Sequence, residues 1–195
     1  MFVYLGIYSC LAFSAVGNYR RPHTVFFLLA AIFLVWFMGF RYETGCDYGG
    51  YLHRWIYFDS PTSLMQLLEG EEAGFEFLMG SIKLLGLDYT WLNVAASTIL
   101  VFCYIRYASA HEFALLILAL LFPVIIVQLG MSGIRQALAG GFLMLSFNSF
   151  AKKQKLWTAM WILIGMQFHT SVVMFLPISF LAGREVNALR LFFFF

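Results

Sequence analysis

The chain has 195 residues, of which 62% are hydrophobic and 11% are charged, and its formal net charge is +2. A soluble domain needs roughly 25% charged residues to cover its surface, so lipid is the expected surrounding for most of this chain. The small net charge provides no basic stripe for a nucleic-acid partner. The three cysteines, Cys10, Cys46 and Cys103, lack any spacing typical of a metal or haem site.

Six apolar segments are predicted to cross the membrane, because a helical span needs about 20 predominantly apolar residues. They cover residues 2–17, 24–40, 90–107, 112–130, 133–150 and 156–182. In the first segment the positive charge of Arg20 and Arg21 follows the apolar run, which favours a retained span over a signal peptide. The sequence therefore predicts an all-α, polytopic integral membrane helical bundle that forms a single domain over residues 1–195.

Residues 41–89 are more polar and are predicted to form a loop whose short helices lie at the membrane interface. The first of these helices is "SPTSLMQLLEG", which ends at Gly70. The second is "EEAGFEFLMGSIKLLG", which stops at Gly86, and Asp88 then caps the third span.

The basic residues of the short loops set the orientation, because Lys and Arg accumulate on the cytoplasmic side. With the predicted spans, three loops place such residues on one side: Arg20, Arg21, Arg106, Lys152, Lys153 and Lys155. The 41–89 loop then faces outward, and topology alone brings four polar side chains to the outer face: Arg41, Asp47, Arg135 and His169.

Two arginines point to an anionic ligand at that face. An arginine within a membrane usually faces a cavity or a partner. At the end of a span, its side chain can instead extend into the membrane interface. Both interpretations stay open for Arg41. Arg135 and Gln136 lie at a helix start, where guanidinium groups and free N–H groups suit a phosphate or diphosphate. Small residues spaced by four on the same helix predict close approach of another helix: Gly133, Ala137 and Gly141.

His169 is predicted to lie about two-thirds of the way outward through the sixth span, among the polar residues Gln167, Thr170 and Ser171. It is either a satisfied core histidine or a group that exchanges a proton with a substrate. Glu72 has two similar interpretations, since an acid at a helix start is favoured by the helix dipole alone.

Asp47 lies in a glycine-rich stretch beside Tyr48 and Tyr51. An aspartate with aromatic neighbours suits sugar binding or general-base chemistry. The alternative is a turn residue whose carboxylate pairs with Arg41 or Arg54.

Several chemistries have no matching motif in this chain. It contains no HExxH or paired His/Cys pattern for zinc, no GxxxxGK or GxGxxG loop for a nucleotide, and no DxD pair for a metal-bound sugar nucleotide. The outward orientation also argues against nucleotide sugars, which are cytoplasmic. Metal-independent chemistry on a lipid-linked substrate fits better.

Four segments, in order, resemble the EpsG-like branch of the Wzy-type O-antigen and exopolysaccharide polymerase family. They are "FRYETGCDYGGY", "EEAGFEFLMGSIKLLGLDYTWL", "SGIRQALAGGF" and "FHTSVVMFLP". The matching positions are Arg41, Gly45, Asp47, Tyr48, Glu72, Gly74, Phe75, Arg135, Gln136, Ala139, His169 and Ser171. The resemblance spans nearly the whole chain, but such proteins usually have ten or more spans, so this chain is expected to be incomplete.

The resemblance implies a multi-pass protein of the bacterial cytoplasmic (inner) membrane. It would transfer a growing glycan from undecaprenyl diphosphate to a new undecaprenyl-diphosphate-linked oligosaccharide unit, without a metal or other cofactor. Partners in the pathway would be a flippase and a chain-length regulator. Arg41 and Arg135 would stabilise the diphosphate, with His169 or Asp47 as general base. The substrate-binding residues would be Tyr48, Tyr51, Glu72 and Gln136.

Three other functions remain as alternatives. A flippase for the same lipid-linked sugar would also need arginines for the diphosphate, but it is favoured by internal symmetry, which this chain does not show. An integral-membrane acyltransferase would also use a histidine and an arginine among its spans. A purely structural subunit would leave the clustering of polar residues on one face unexplained.

Overall fold

The computed structural model describes residues 2–17, 24–58 and 72–181, and every regular element within these ranges is helical. The helices are α1 (Phe2–Gly17), α2 (Thr24–Gly39), α3 (Tyr48–Tyr57), α4 (Ala73–Leu84), α5 (Tyr89–Ala108), α6 (Ala114–Leu121), α7 (Ile134–Ala151), α8 (Lys155–Met166) and α9 (Phe175–Leu181), with a π-helical segment at Phe122–Gly130 and a 3₁₀ helix at Thr170–Met174. The all-α prediction is confirmed for these ranges. The helix predicted at "SPTSLMQLLEG" and the loop with Arg20 and Arg21 lie outside them.

One described helix, α5, is long and apolar enough to cross a membrane, with 20 residues and a mean hydropathy of 1.3. Half of its most apolar stretch is buried inside the protein. The other apolar helices are shorter: Phe2–Val16, Thr24–Gly39, Ala114–Gly130, Lys155–Met166 and Thr170–Phe180. The arrangement with six spans therefore stays a prediction.

Helices α5 and α7 form the centre of the molecule. The first packs against α2 and α7, and the second packs against α5 and α8, while α1 packs against α6. The carboxylate of Asp88 accepts a hydrogen bond of 3.0 Å from the backbone N–H of Thr90, which confirms the predicted cap of α5. A Cβ added at Gly141 would lie 3.1 Å from Cβ of Cys103, so this glycine permits the close approach of α7 and α5, as its spacing predicts.

The span predicted over residues 112–130 changes its helical form partway. It is α-helical to Leu121 and continues as the π-helical segment, which has Pro123 in its first turn. Proline has no N–H to donate and its ring clashes with the carbonyl four residues earlier, so a regular α-helix cannot run through it. The segment ends at Gly130, beside the residues that build the site.

The continuous helix predicted over residues 156–182 is wrong. Helix α8 ends at Met166, His169 has an extended backbone (φ −157°, ψ 123°), and the chain resumes as a 3₁₀ helix. The backbone carbonyl of Gln167 instead accepts a hydrogen bond of 2.9 Å from the N–H of Gly74, at the start of α4. A tertiary contact thus holds the helix break, and His169 lies at this break.

Helix α3 was not predicted. Two consecutive glycines, Gly49 and Gly50, lie in its first turn, and glycine disfavours a helix interior. Tyr51 is nevertheless buried and Trp55 partly buried. Their ring centroids lie 5.8 Å from that of Phe75 and 6.2 Å from that of Tyr89, respectively. Aromatic packing against α4 and α5 therefore stabilises a helix that local propensity does not favour.

Candidate functional site

The loop after α2 packs against the turn before α7. The backbone N–H of Cys46 donates to Oγ of Ser132 over 3.3 Å. Gly45 has a φ of 100°, and a Cβ at this position would lie only 1.8 Å from the carbonyl oxygen of Met131. Glycine is therefore required here, and the contact brings the segment of Arg41 and Asp47 to the start of the helix that carries Arg135.

The start of α4 packs against the break that holds His169. A Cβ added at Gly74 would lie 2.8 Å from Cβ of Gln167, so these two backbones approach as closely as glycine permits. Glu72, two residues before Gly74, is thereby placed beside His169. The four segments that resemble the polymerase family thus meet in two pairs, although contacting residues such as Cys46 and Ser132, or Glu72 and His169, are 86 and 97 positions apart in sequence.

Glu72 lies at the centre of a charged cluster. Its Oε2 accepts a hydrogen bond from Nη1 of Arg135 and lies 3.7 Å from Nη1 of Arg54. Its Oε1 lies 3.3 Å from Nδ1 of His169. The carboxylate is 12% exposed and makes no capping bond to α4, so it acts as a shared acceptor and not as an ordinary helix-start acid.

Arg54 is a site residue that sequence reasoning missed. Its Nη2 lies 3.1 Å from Oε1 of Glu76, in addition to its contact with Glu72, and its guanidinium lies 5.6 Å from the ring centroid of Phe75. The residues 47, 50, 51 and 54 share one face of α3, a spacing of three and four residues that identifies Arg54 once the helix is known. Because α3 was not predicted, this signal was not available.

Tyr51 connects the cluster to the start of α7. Its hydroxyl oxygen accepts a hydrogen bond of 3.4 Å from the backbone N–H of Arg135, one of the N–H groups that a helix start leaves unpaired. The guanidinium of Arg135 also lies 5.8 Å from the centroid of the Tyr51 ring, where it gains cation–π attraction. The residue is 8% exposed but lines the cleft, so it positions Arg135 while its predicted role of holding a sugar face stays a prediction.

An open cleft of about 450 Å³ borders the two arginines of this cluster. It is lined by Cys46, Asp47, Gly50, Tyr51, Arg54 and Arg135. Both arginine side chains are 34% exposed, so their guanidinium groups are accessible to a ligand. Arg54 forms its ion pairs with Glu72 and Glu76, so the interpretation of Asp47 as the partner of Arg54 is wrong. The carboxylate of Asp47 is exposed and lines the cleft.

The structure places Arg41 apart from the cleft. Its side chain is 8% exposed, and it donates hydrogen bonds to the carbonyl oxygen of Gly130 over 2.7 Å and to Oδ1 of Asn93 over 3.4 Å. Burial lowers the pKa of Arg41, but a guanidinium remains charged at neutral pH. This arginine ties the end of α2 to α5 and to the π-helical segment. In this position Arg41 does not reach a ligand in the cleft, contrary to the expectation. Its side chain also does not extend into the membrane interface.

Three other predicted binding residues also lie outside the lining of the cleft, namely Glu72, Tyr48 and Gln136, and so does His169. The ring of Tyr48 packs edge-on against Tyr89 and Tyr42, with centroid distances of 5.4 Å and 6.3 Å. The side chain of Gln136 is exposed, and it folds back over Gly133. Within the described ranges, no three His, Cys, Asp or Glu side chains converge as metal ligands.

These observations define the class of protein: a chain whose described part is helical, with an arginine-lined cleft next to a mostly buried carboxylate that also contacts a histidine. The EpsG family model matches residues 24–195. Since the match covers well over half of the chain, the protein belongs to the EpsG family, and the resemblance of its four segments is confirmed. Comparison with curated proteins and with solved structures gave no match.

Proposed function

We propose that this protein takes part in the polymerisation of lipid-linked oligosaccharides at a membrane, as a glycosyltransferase that uses a lipid diphosphate donor. The single observation that carries the proposal is the convergence of Arg135, Arg54 and His169 on the carboxylate of Glu72, next to an open cleft that the two arginines line. Membership of the EpsG family supports a polysaccharide-polymerase-type membrane protein, as do the apolar helices.

The two arginines suit the leaving group of this reaction. As the bond between the anomeric carbon and the diphosphate oxygen breaks, negative charge grows on the diphosphate. Fixed guanidinium groups stabilise such charge most strongly in the transition state, because they are already oriented. Arg135 is held by Glu72 and Tyr51, and Arg54 by Glu72 and Glu76, so both are positioned before a ligand arrives.

His169 suits the role of general base on the acceptor hydroxyl. A carboxylate can only accept, so the contact with Glu72 favours the tautomer with the proton on Nδ1 and leaves the lone pair of Nε2 free. His169 takes the hydroxyl proton as the acceptor oxygen forms its bond to the anomeric carbon, and undecaprenyl diphosphate departs. Asp47, on the rim of the cleft, binds sugar hydroxyl groups of the acceptor.

The membrane placement follows the predicted orientation. The cleft faces outward from the cytoplasmic membrane of a bacterium, where lipid-linked repeat units are joined. In this orientation the C-terminal ends of α5 and α7, near Arg106 and Lys152, lie on the cytoplasmic side.

The test is the glycan profile of a strain that lacks this protein, complemented with the unchanged chain or with Arg135→Ala. We expect single repeat units on the lipid carrier in the deletion strain and long polymer after complementation with the unchanged chain. Removal of one oriented cation should lower the rate of polymerisation by roughly 10²–10³-fold. Equal membrane levels of both chains are the control for folding.

The same experiment separates the alternatives. Repeat units that remain on the cytoplasmic face would favour a flippase, and a loss of acyl groups with normal polymer length would favour an acyltransferase. Normal polymer length and yield with Arg135→Ala would overturn the proposed role of the cleft.

A further inference from the structure

A second cavity lies at the other end of α7 from the cleft. This helix has 18 residues, so its ends are about 27 Å apart at 1.5 Å per residue. Arg135 at its start lines the cleft, whereas Lys152, just beyond its end, lines a separate cavity of about 200 Å³. This cavity is bounded by the ends of α5 and α7 and by the start of α8.

The lining of this cavity is basic. It includes Arg106 and Lys152, both with exposed side chains, and no acidic residue. All ion pairs within the described ranges involve Glu72 or Glu76, at the other end of the molecule. An anion in the cavity would therefore meet two cations that form no ion pair with any described carboxylate.

The other walls of the cavity are largely aromatic, and a hydrogen bond joins two of the helices that bound it. Phe102, Trp157 and Trp161 line the cavity, and Phe102 and Trp157 are 60% and 51% exposed. Asn148, also in the lining, donates from Nδ2 to the backbone carbonyl of Tyr107 over 3.3 Å, which fixes the end of α5 against α7. A small inorganic anion would make no use of the aromatic walls. An amphipathic ligand with a phosphate and a hydrocarbon part would contact both kinds of surface.

We infer that this cavity binds an anionic phospholipid, with the headgroup phosphate between Arg106 and Lys152 and the start of an acyl chain along Trp157 and Trp161. Basic pockets between helices on the cytoplasmic side suit such headgroups, and tryptophan favours the interface between membrane and water. The inference depends on the membrane placement in the proposed function, but not on the glycan chemistry assigned to the cleft.

The two tryptophans of the cavity provide the test. The full chain is incorporated into phosphatidylcholine vesicles with increasing fractions of phosphatidylglycerol that carries bromine on its acyl chains, and quenching of tryptophan fluorescence is measured. A Trp157→Phe/Trp161→Phe variant gives the contribution of the other three tryptophans. We expect brominated phosphatidylglycerol to quench the two cavity tryptophans at a several-fold lower mole fraction than brominated phosphatidylcholine.

The matched variants are Arg106→Gln/Lys152→Gln and Lys155→Gln, since Lys155 is a nearby exposed basic residue that does not line the cavity. Each lost basic side chain in the cavity should weaken the preference for the anionic lipid by about fivefold. The double variant should therefore lose the preference, whereas Lys155→Gln should retain it. The apparent Tm in detergent reports whether each variant is folded.

Four outcomes would overturn the inference. Equal quenching of the unchanged chain by both lipids would show no anionic site, and an equal loss of preference in Lys155→Gln would show diffuse surface charge. Loss of the preference in the presence of soluble glycerol phosphate would identify a free phosphate ester as the ligand. A preference that persists in the Trp157→Phe/Trp161→Phe variant would place the bound lipid elsewhere. Failure of the chain to enter vesicles would instead contradict the membrane placement, and the glycan profile tests the cleft chemistry separately.

Discussion

Glu72 uses both of its carboxylate oxygens for different purposes. Oε2 holds Arg135 and approaches Arg54, while Oε1 faces Nδ1 of His169. A single side chain thereby sets the position of the cations and the tautomer of the histidine. Glu72 is thus a positioning residue in the proposed reaction, and His169 and the arginines are the groups that would touch the substrate.

The substitution Glu72→Gln should abolish the function of His169 as a base. The amide N–H of glutamine would donate to Nδ1, which moves the ring proton to Nε2 and removes the lone pair that accepts the hydroxyl proton. The polymerisation rate in proteoliposomes is expected to fall by about 10²–10⁴-fold.

A double-mutant cycle distinguishes this positioning role from independent effects. Glu72→Gln should slow His169→Asn by a much smaller factor than it slows the unchanged chain, because groups that act as a unit are not additive. Thr170→Ala, an exposed neighbour, serves as the control. Additive losses would show that Glu72 does not act through His169.

Arg54 should affect the rate in the same direction as Arg135. It lines the cleft, is 34% exposed and is oriented by Glu72 and Glu76. Arg54→Gln is expected to lower the polymerisation rate by about 10²-fold through loss of an oriented cation. The control is His53→Gln, because His53 is exposed and its ring packs against Tyr57, 4.4 Å away. Equal rates for the two variants would remove Arg54 from the site.

At the scale of elements, two glycines decide how the segments of the site meet. Gly45 permits the loop after α2 to reach the turn before α7, and Gly74 permits α4 to reach the break after α8. Neither contact joins regular helix to regular helix. The site is therefore held by irregular backbone, whose geometry depends on close approach and on the hydrogen bond from Gly74 to Gln167.

Gly74→Ala should separate these elements. The new Cβ would lie 2.8 Å from Cβ of Gln167, so α4 must shift and Glu72 must move relative to His169. We expect a loss of about 1–3 kcal/mol in the free energy of unfolding, typical of overpacking, and a slower polymerisation rate. Apparent Tm in detergent and the proteoliposome rate measure the two effects.

Gly140→Ala in α7 is the matched control, because a Cβ there meets nothing within 4 Å and alanine favours a helix interior. Its stability and rate should equal or exceed those of the unchanged chain. If Gly74→Ala behaves like Gly140→Ala, then the contact between α4 and Gln167 does not position the site.

At the scale of the whole molecule, the two ends of α5 and α7 differ in chemistry. One end has the cleft with its paired acids and arginines, and the other has Arg106 and Lys152 around an aromatic cavity. The orientation predicted from the basic loops stays a prediction, and it can be measured directly.

Cys46 is exposed and lines the cleft, so it can report the orientation. In a Cys10→Ser background, a membrane-impermeant maleimide should label Cys46 in intact cells. In Cys10→Ser/Cys46→Ser/Lys152→Cys, labelling should require permeabilised cells. The background Cys10→Ser/Cys46→Ser gives the residual signal of Cys103, which is buried. Labelling at position 152 in intact cells would reverse the predicted orientation.

Composition and the order of short motifs were sufficient to predict the all-α class, the family, the cap at Asp88 and the close approach at Gly141. Each of these depends on local sequence: apolar content, a capping side chain, or the spacing of small residues along one helix. Asp47, Glu72, Arg135 and His169 were likewise selected as candidate site residues from motifs that lie far apart in the chain, and their roles stay predictions.

Only the tertiary structure decided which of these residues touch. It buried Arg41 against Gly130, occupied the ring of Tyr51 with Arg135, broke the sixth predicted span at His169 and formed α3 despite its glycines. Hydrogen bonds to distant carbonyls and aromatic packing between elements outweigh local helix propensity, which amounts to only about 1 kcal/mol per residue even for glycine. The sequence by itself determined the helical class, the family and several of the polar side chains that meet, because these depend on local composition and motifs, whereas long-range contacts determined their partners.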